Sequence, residues 1–481
     1  MKTTIASKAL ATLMTGIARV ALGTLVAAIS MSAQSTLPDL FPFPDGTGLV
    51  QNHNSAGGPI PLTGAFFQSL GTNGRSCGTC HRAAEGFGIS AAEVSLRFLL
   101  TGGTDPIFRT NDGSNCDHDI DVATIEGRRQ AYSLLTSRGL IRIALAAPAG
   151  ADFTVIAVQN PYGCGDTQTL SMYRRPLPST NLRFLSAVMW DGRESAVPTG
   201  TQKITLATNP ADLLADLAHQ AIDATTGHAQ GAVPTAAQVQ DIVNFEMALT
   251  TAQGYDYEAG SLTSSGAAGG PVAIASQPFY IGINDPLGND KPGTTFNPAI
   301  FNLFSAWANL PQQSGFFGLQ NARRASIARG EALFNSRPIN ITGVGGLNDV
   351  LGVASIPGTC GTCHSSPNVG NHSFPLPINI GVGDLTSPLD VSYLPVFTIR
   401  HNATGEILST TDPGRALVTG LWSDVGKVKG PILRGLAARA PYFHNGSALS
   451  LSDVVTFYNK RFSIGFTAQE QQDLVAFLSA L

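Results

Sequence analysis

The feature that most constrains this chain is a pentapeptide that occurs twice. Cys77-Gly78-Thr79-Cys80-His81 returns unchanged as Cys360-Gly361-Thr362-Cys363-His364. Two thiols at this spacing can each form a thioether to one vinyl group of the same porphyrin, and the adjoining imidazole then turns under the ring to meet the iron. A redox Cys-x-x-Cys or half of a zinc site are the alternatives for one such segment. A zinc site needs two Cys pairs folded together and does not require a His after each. Two identical copies, each with its His, point to two covalent haem c groups with His81 and His364 as proximal ligands.

Length and composition fit that reading. At 481 residues the chain exceeds one ordinary domain, and two attachment motifs suggest two haem-bearing units. The formal charge of -4 and the lack of basic runs argue against a nucleic-acid partner. With 52 Gly, 29 Pro and 13% charged residues, the chain suits a loop-rich, cofactor-filled fold better than a long helical bundle. Lys2 and Lys8 precede an apolar run, Val20 to Met31, that ends in small residues. This reads as a signal peptide over residues 1–33, too short in its apolar core to span a bilayer. The expectation is therefore export to the periplasm or beyond, with no stable membrane span after cleavage. In that oxidising setting the remaining pair, Cys116 and Cys164, is expected to form a structural disulfide worth about 3–4 kcal/mol.

An internal repeat sets the domain boundaries. The stretch from Thr235 to Leu249 is echoed from Thr467 to Leu481. Each copy opens with a capping box, Thr235/Gln238 and Thr467/Glu470, and then places Ile242/Phe245/Leu249 and Leu474/Phe477/Leu481 at helical spacing. Each haem motif is thus followed by a matching closing helix. The fold expected is mainly α, with two cytochrome c-like domains, one covalent haem in each, and loop-rich insertions. The first unit covers residues 34–259, an inter-domain segment 260–320, and the second unit 321–481. Ser326–Ser336 reads as the helix leading into the second motif. All six Met lie at or before Met247, so the second unit has no thioether of its own to offer an iron.

Three further stretches carry a resemblance. The first unit has Met189-Trp190-Asp191-Gly192-Arg193, and the second has Lys429-Gly430-Pro431-Ile432-Leu433-Arg434 and Ala440-Pro441-Tyr442-Phe443-His444-Asn445-Gly446-Ser447. Together with the haem motifs, these resemble the bacterial di-haem cytochrome c peroxidase and MauG superfamily, over most of the mature chain and in the same order. The resemblance implies that Trp190 stands between the haems and that the two later stretches lie near the second haem. It puts that haem's distal ligand fourteen residues after His444, at Tyr458, where MauG-type proteins carry Tyr and ordinary peroxidases Met. A phenolate ligand lowers the reduction potential relative to Met and favours oxidised iron. His444 is expected beside the second haem.

At the first haem the family's distal Glu follows a Gln-Ala pair. Here Gln220-Ala221 is followed by Asp223, His228 and Gln230, with no Glu in that place, so His228 and then Gln230 are the acid/base candidates. His118, in a polar loop, is a candidate removable distal ligand. Family members often hold calcium between the units through an Asn of the first unit, and Arg174-Arg175-Pro176 stands here without it. The function implied is reduction of hydrogen peroxide at the His81 haem. Electrons would come through the His364 haem from a small cytochrome, a cupredoxin or an oxidisable protein residue. The alternatives are a dioxygen-using oxygenase resembling the rubber-cleaving di-haem proteins, a MauG-like protein-residue oxidase, and a non-catalytic electron carrier.

Overall fold

The computed structural model describes residues 35–195, 207, 209–311, 313–372 and 377–481. The expected signal peptide lies outside the described residues. In chain order, the elements that position the cavities are β1 (Gly48–Asn54), α1 (Cys77–Cys80), β2 (Ile141–Leu145), β3 (Phe153–Gln159), β4 (Leu170–Arg174), α2 (Pro210–Gly227), α3 (Ala236–Ala248) and β5 (Leu249–Asp256). There follow α4 (Gly315–Ser336), β6 (Val396–His401), α5 (Leu451–Arg461) and α6 (Ala468–Ser479).

The capping boxes form. Thr235 Oγ1 accepts from the Gln238 amide at 3.3 Å while the Thr235 amide donates to Gln238 Oε1 at 2.9 Å. Thr467 and Glu470 exchange the equivalent bonds at 3.2 and 2.8 Å, and Ser450 and Asp453 do so at the start of α5. Each box satisfies two amides that the first helical turn leaves without partners.

The closing helices α3 and α6 reach their haem motifs through matching aromatic clusters. Phe245 packs on Phe66, Phe67 and Phe87, and Phe66 lies 6.2 Å from the His81 ring. Phe477 packs on Phe301, Phe304 and Phe334, and Phe334 lies 5.7 Å from the His364 ring. Helix α4 begins eleven residues before the stretch expected from sequence, at Gly315, and runs against α6. At their crossing a Cβ on Gly330 would fall 2.0 Å from the Asp473 carbonyl oxygen, so only glycine allows the approach. Phe301, Phe304 and Trp307 of the inter-domain segment are buried in this second core.

Strand content exceeds the helix-weighted expectation: the described residues form five small sheets. One pairs β1 with β5. Another pairs β3 of the first expected unit antiparallel to β6 of the second, from Val396↔Gln159 to His401↔Phe153. This sheet crosses the boundary drawn from sequence. The Arg174 guanidinium crosses it too, gripping both carboxylate oxygens of Asp412 at 2.7 and 2.8 Å and Asp191 at 2.5 Å. Cys116 and Cys164 are joined in a disulfide that ties the loop before β2 to the connection between β3 and β4. No helix among the described residues is long and apolar enough to cross a membrane.

Candidate functional site

Each Cys-x-x-Cys-His segment opens on its own cavity. The first cavity is walled by Cys77, Cys80 and His81 with Leu217, Gln220, Ala221 and His228 of α2 and its end, and Ile242 and Glu246 of α3. The second is walled by Cys360, Cys363 and His364 with Val454, Val455 and Tyr458 of α5, Leu474 and Leu478 of α6, and His444. The four motif cysteines are half-buried at the cavity walls, and as thiols burial pushes Cys77 and Cys360 up to about 12 and Cys363 up to about 11. A zinc site needs thiolates brought together. The motif cysteines are divided between two cavities, one pair in each.

Both motif histidines are oriented by a backbone carbonyl. His81 Nδ1 donates to the Phe87 carbonyl at 3.1 Å, and His364 Nδ1 donates to the Gly370 carbonyl at 2.6 Å. A proton held on Nδ1 leaves Nε2 with its lone pair, and the carbonyl fixes the ring, as for metal-bound imidazoles generally. Burial lowers both imidazoles to about 4, so both are neutral at ordinary pH.

The two cavities share a wall. Arg175, Pro176, Leu177, Pro178, Trp190, Lys429 and Ile432 line both. Trp190 is buried, donates its Nε1–H to the Arg175 carbonyl at 2.7 Å, and meets the His444 ring edge-on at 6.1 Å. The neighbouring Asp191 accepts from both Arg174 and Arg193, which anchors the turn that presents the indole. His444 is buried, its Nε2 has no hydrogen-bond partner, and burial lowers it to about 4. The Tyr458 hydroxyl has no hydrogen-bond partner among the described residues, and it lines the cavity near the Cys360 and Cys363 thiols, whose proximity adds to the upward push of burial.

The acid/base candidates divide. His228 caps the C-terminus of α2 and lines the first cavity, and its Nδ1 donates to Asp112. Asp112 in turn pairs with buried Arg75, whose guanidinium also bonds the Pro106 and Ile107 carbonyls at 2.9 and 2.6 Å. Burial works against the Asp112 carboxylate, but the His228 bond and the Arg75 charge outweigh it and hold the group below its usual range. Gln230 is not brought to the cavity. The chain leaves α2 and turns at Gln230 with φ 54°, exposing its side chain, which accepts from Asn73 at 3.4 Å. His118 is exposed beside Asp117 at the disulfide and lines neither cavity.

Sequence reasoning missed Glu246. It is 3% exposed, lines the first cavity, and its Oε2 has no partner. Burial raises it to about 8, with a Ser179 hydrogen bond opposing, so it is mostly protonated at neutral pH. The signal was present in the repeat: Glu246 occupies the position that Leu478 takes in the second copy.

Two attached porphyrins fit this donor set. Four propionate charges need cations, and buried Arg175 and Lys429 and half-buried Arg439 stand at the cavity walls with no ion-pair partner among the described residues. The segment where the resemblance puts a calcium-binding Asn instead places the Arg174 and Arg175 guanidinium groups.

No family model matches the chain. It is similar to the cytochrome-c peroxidase IdrP1 of Pseudomonas sp. (strain SCT), 29% identical over 184 residues, which is 34% of this chain and 42% of that protein. The cytochrome-c peroxidase IdrP1 of Denitromonas iodatirespirans is 32% identical over 142 residues, 25% of this chain and 36% of that protein. The cytochrome-c peroxidase IdrP2 of the same organism is 33% identical over 135 residues, 26% and 36%. The chain thus spans about two fifths or less of the length of these curated relatives, all of them bearing the cytochrome-c peroxidase name.

Proposed function

We propose that this chain is a di-haem c-type oxidoreductase of the peroxidase kind. It would reduce hydrogen peroxide in the first cavity with electrons that a donor protein delivers at the second. The observation that carries the reading is the shared wall: two Cys-x-x-Cys-His cavities, each with a tethered proximal imidazole, meet at Trp190. The names of the distant relatives support the reaction class. When bound, haem supplies an iron that takes an oxidant or an electron.

The protein's own groups do the rest. His81 and His364 would hold the two irons through Nε2, which their Nδ1 hydrogen bonds leave available. Trp190 bridges the cavities, its N–H held by a neutral amide oxygen that cannot take its proton. His228, with Asp112 behind it, offers Nε2 to the first cavity as proton acceptor for peroxide. Tyr458 would hold the second iron in this reading, supported by a cavity-lining hydroxyl with no hydrogen-bond partner among the described residues. The two units are cytochrome c-like, each closed by its repeat helix, and the partner is a small cytochrome, a cupredoxin or an oxidisable protein residue.

The test is the absorption and paramagnetic-resonance spectrum of the ferric protein before and after one equivalent of peroxide per molecule. One high-spin and one low-spin centre, and a long-lived species two oxidising equivalents above the resting protein, are expected. Two low-spin centres that ignore peroxide would leave only an electron carrier.

A further inference from the structure

The wall between the cavities is positively charged and has no carboxylate to balance it. Arg175 and Lys429 line both cavities, and Arg439 lines the second. None of the three is within ion-pair distance of an Asp or Glu among the described residues. The carboxyl felt most by Arg175 is Glu85, half-buried and raised by desolvation to about 8. Lys429 Nζ donates no hydrogen bond to the described residues, and burial alone lowers that amine to about 8. Burying an uncompensated cation is costly, and proteins keep one where a ligand brings the opposite charge.

Arg175 is built in rather than merely trapped. Its Nη1 donates to the Arg138 and Gly139 carbonyls at 3.0 and 3.1 Å, and its Nη2 donates to the carbonyls of Ile89 and of Arg439, the last at 2.9 Å. These oxygens come from both expected units. Four neutral carbonyls around a guanidinium orient it without cancelling its charge. The backbone ties the same residue to its neighbours on the wall. The Arg175 amide donates to the His444 carbonyl at 2.7 Å, the Arg175 carbonyl accepts from Trp190, and the Lys429 amide donates to the Trp190 carbonyl at 2.8 Å.

We propose that Arg175 and Lys429 form one cationic hub that raises the reduction potentials of both iron centres together. The inference rests on the two-haem reading above. A fixed positive charge favours whichever state carries the extra electron, and a charge on a common wall acts on both cavities at once. The hub therefore sets one common electrostatic offset for the two centres. Losing it makes both harder to reduce, whereas a charge confined to one cavity would move one centre only.

The test is a spectroscopic redox titration of the full-length protein, after mass analysis confirms two attached haems. Arg175→Met and Lys429→Met should each shift the equilibrium of both centres about tenfold toward the oxidised form, a fall of about 59 mV for one electron. Arg175→Lys keeps the charge and should leave both potentials near the wild type while loosening the wall. Lys429→Met carries the test if Arg175→Met does not fold, since that amine makes no hydrogen bond to lose. Potentials unmoved in the neutral variants, or moved at one centre alone, overturn the proposal, as does a single attached haem. Peroxide turnover is scored separately. Shifted potentials without turnover would leave the hub standing and remove the peroxidase reading, and turnover with unmoved potentials would do the reverse.

Discussion

The two cavities are built on one repeat and differ in what their walls can do with a proton. Ile242 and Leu474 occupy matching positions on the closing helices and both line their cavities. One turn later the match ends, with Glu246 facing the first cavity and Leu478 the second. Asp112 and His228 also face the first cavity, while among the described residues no Asp or Glu lines the second. The first is equipped to take and return protons, as peroxide reduction requires. The second offers the Tyr458 phenol, the His444 ring, the cations Arg175, Lys429 and Arg439, and hydrocarbon. A duplicated scaffold thus supports two chemistries through a few wall positions, as sites grafted on a common fold do.

Removing the phenol is the change with the largest expected effect. Tyr458→Phe should abolish the long-lived oxidised species formed with peroxide and alter the low-spin signals of the second centre, leaving those of the first unchanged. Stopped-flow absorption and low-temperature paramagnetic resonance read both. Survival of the species in this variant would show that the asymmetry does not depend on Tyr458.

Next in size is the proton acceptor of the first cavity. Hydrogen cyanide must lose its proton to bind iron as cyanide, so its association rate reports a base in the pocket without needing peroxide chemistry. His228→Leu should slow cyanide binding at the first centre about 100-fold, the lower end of acid–base contributions. Asp112→Asn should slow it about 10-fold, because the Nδ1 partner that fixes which nitrogen faces the cavity is changed. The second centre should not respond to either. Equal rates in wild type and His228→Leu would remove His228 from this role.

Local signals made part of this legible and distance hid the rest. The capping boxes at Thr235 and Thr467 depend on residues three apart, and they form as read. Trp190 and Tyr458 sit on cavity walls because short motifs position them. The pairing of β3 with β6 joins segments more than 230 residues apart, from Val396↔Gln159 onward, and nothing within either strand names its partner. Asp112 escaped notice because it lies in a polar turn, where an acidic residue is ordinary until the fold sets it against His228. Gln230 was misplaced by two residues of geometry. The helix ends at Gly227, and the left-handed turn at Gln230 sends its side chain outward. Glu246 was visible all along in the closing helix, but its polarity on a buried face mattered only once the two copies were compared position by position.

Glu246 supplies the smallest and most specific test of that comparison. Its folded-state value, about 8, lies above the ordinary 4.5, so between those limits the folded protein binds more protons than the unfolded chain. Stability conferred by the protonated carboxyl is therefore complete below about pH 4.5 and declines as pH rises toward 8, by at most about 1.4 kcal/mol per pH unit. Glu246→Gln has no such proton to lose. Measured by denaturant unfolding of the haem-loaded protein, the variant should gain on the wild type by about 2 kcal/mol or more between pH 5 and pH 8. The corresponding position in the second cavity is already apolar, so Leu478→Met should show a pH profile parallel to the wild type. If Glu246→Gln also runs parallel, the carboxyl is ionised in the folded protein and the first cavity is wetter than its walls imply. The contrast with the second cavity would then rest on His228 and Asp112 alone.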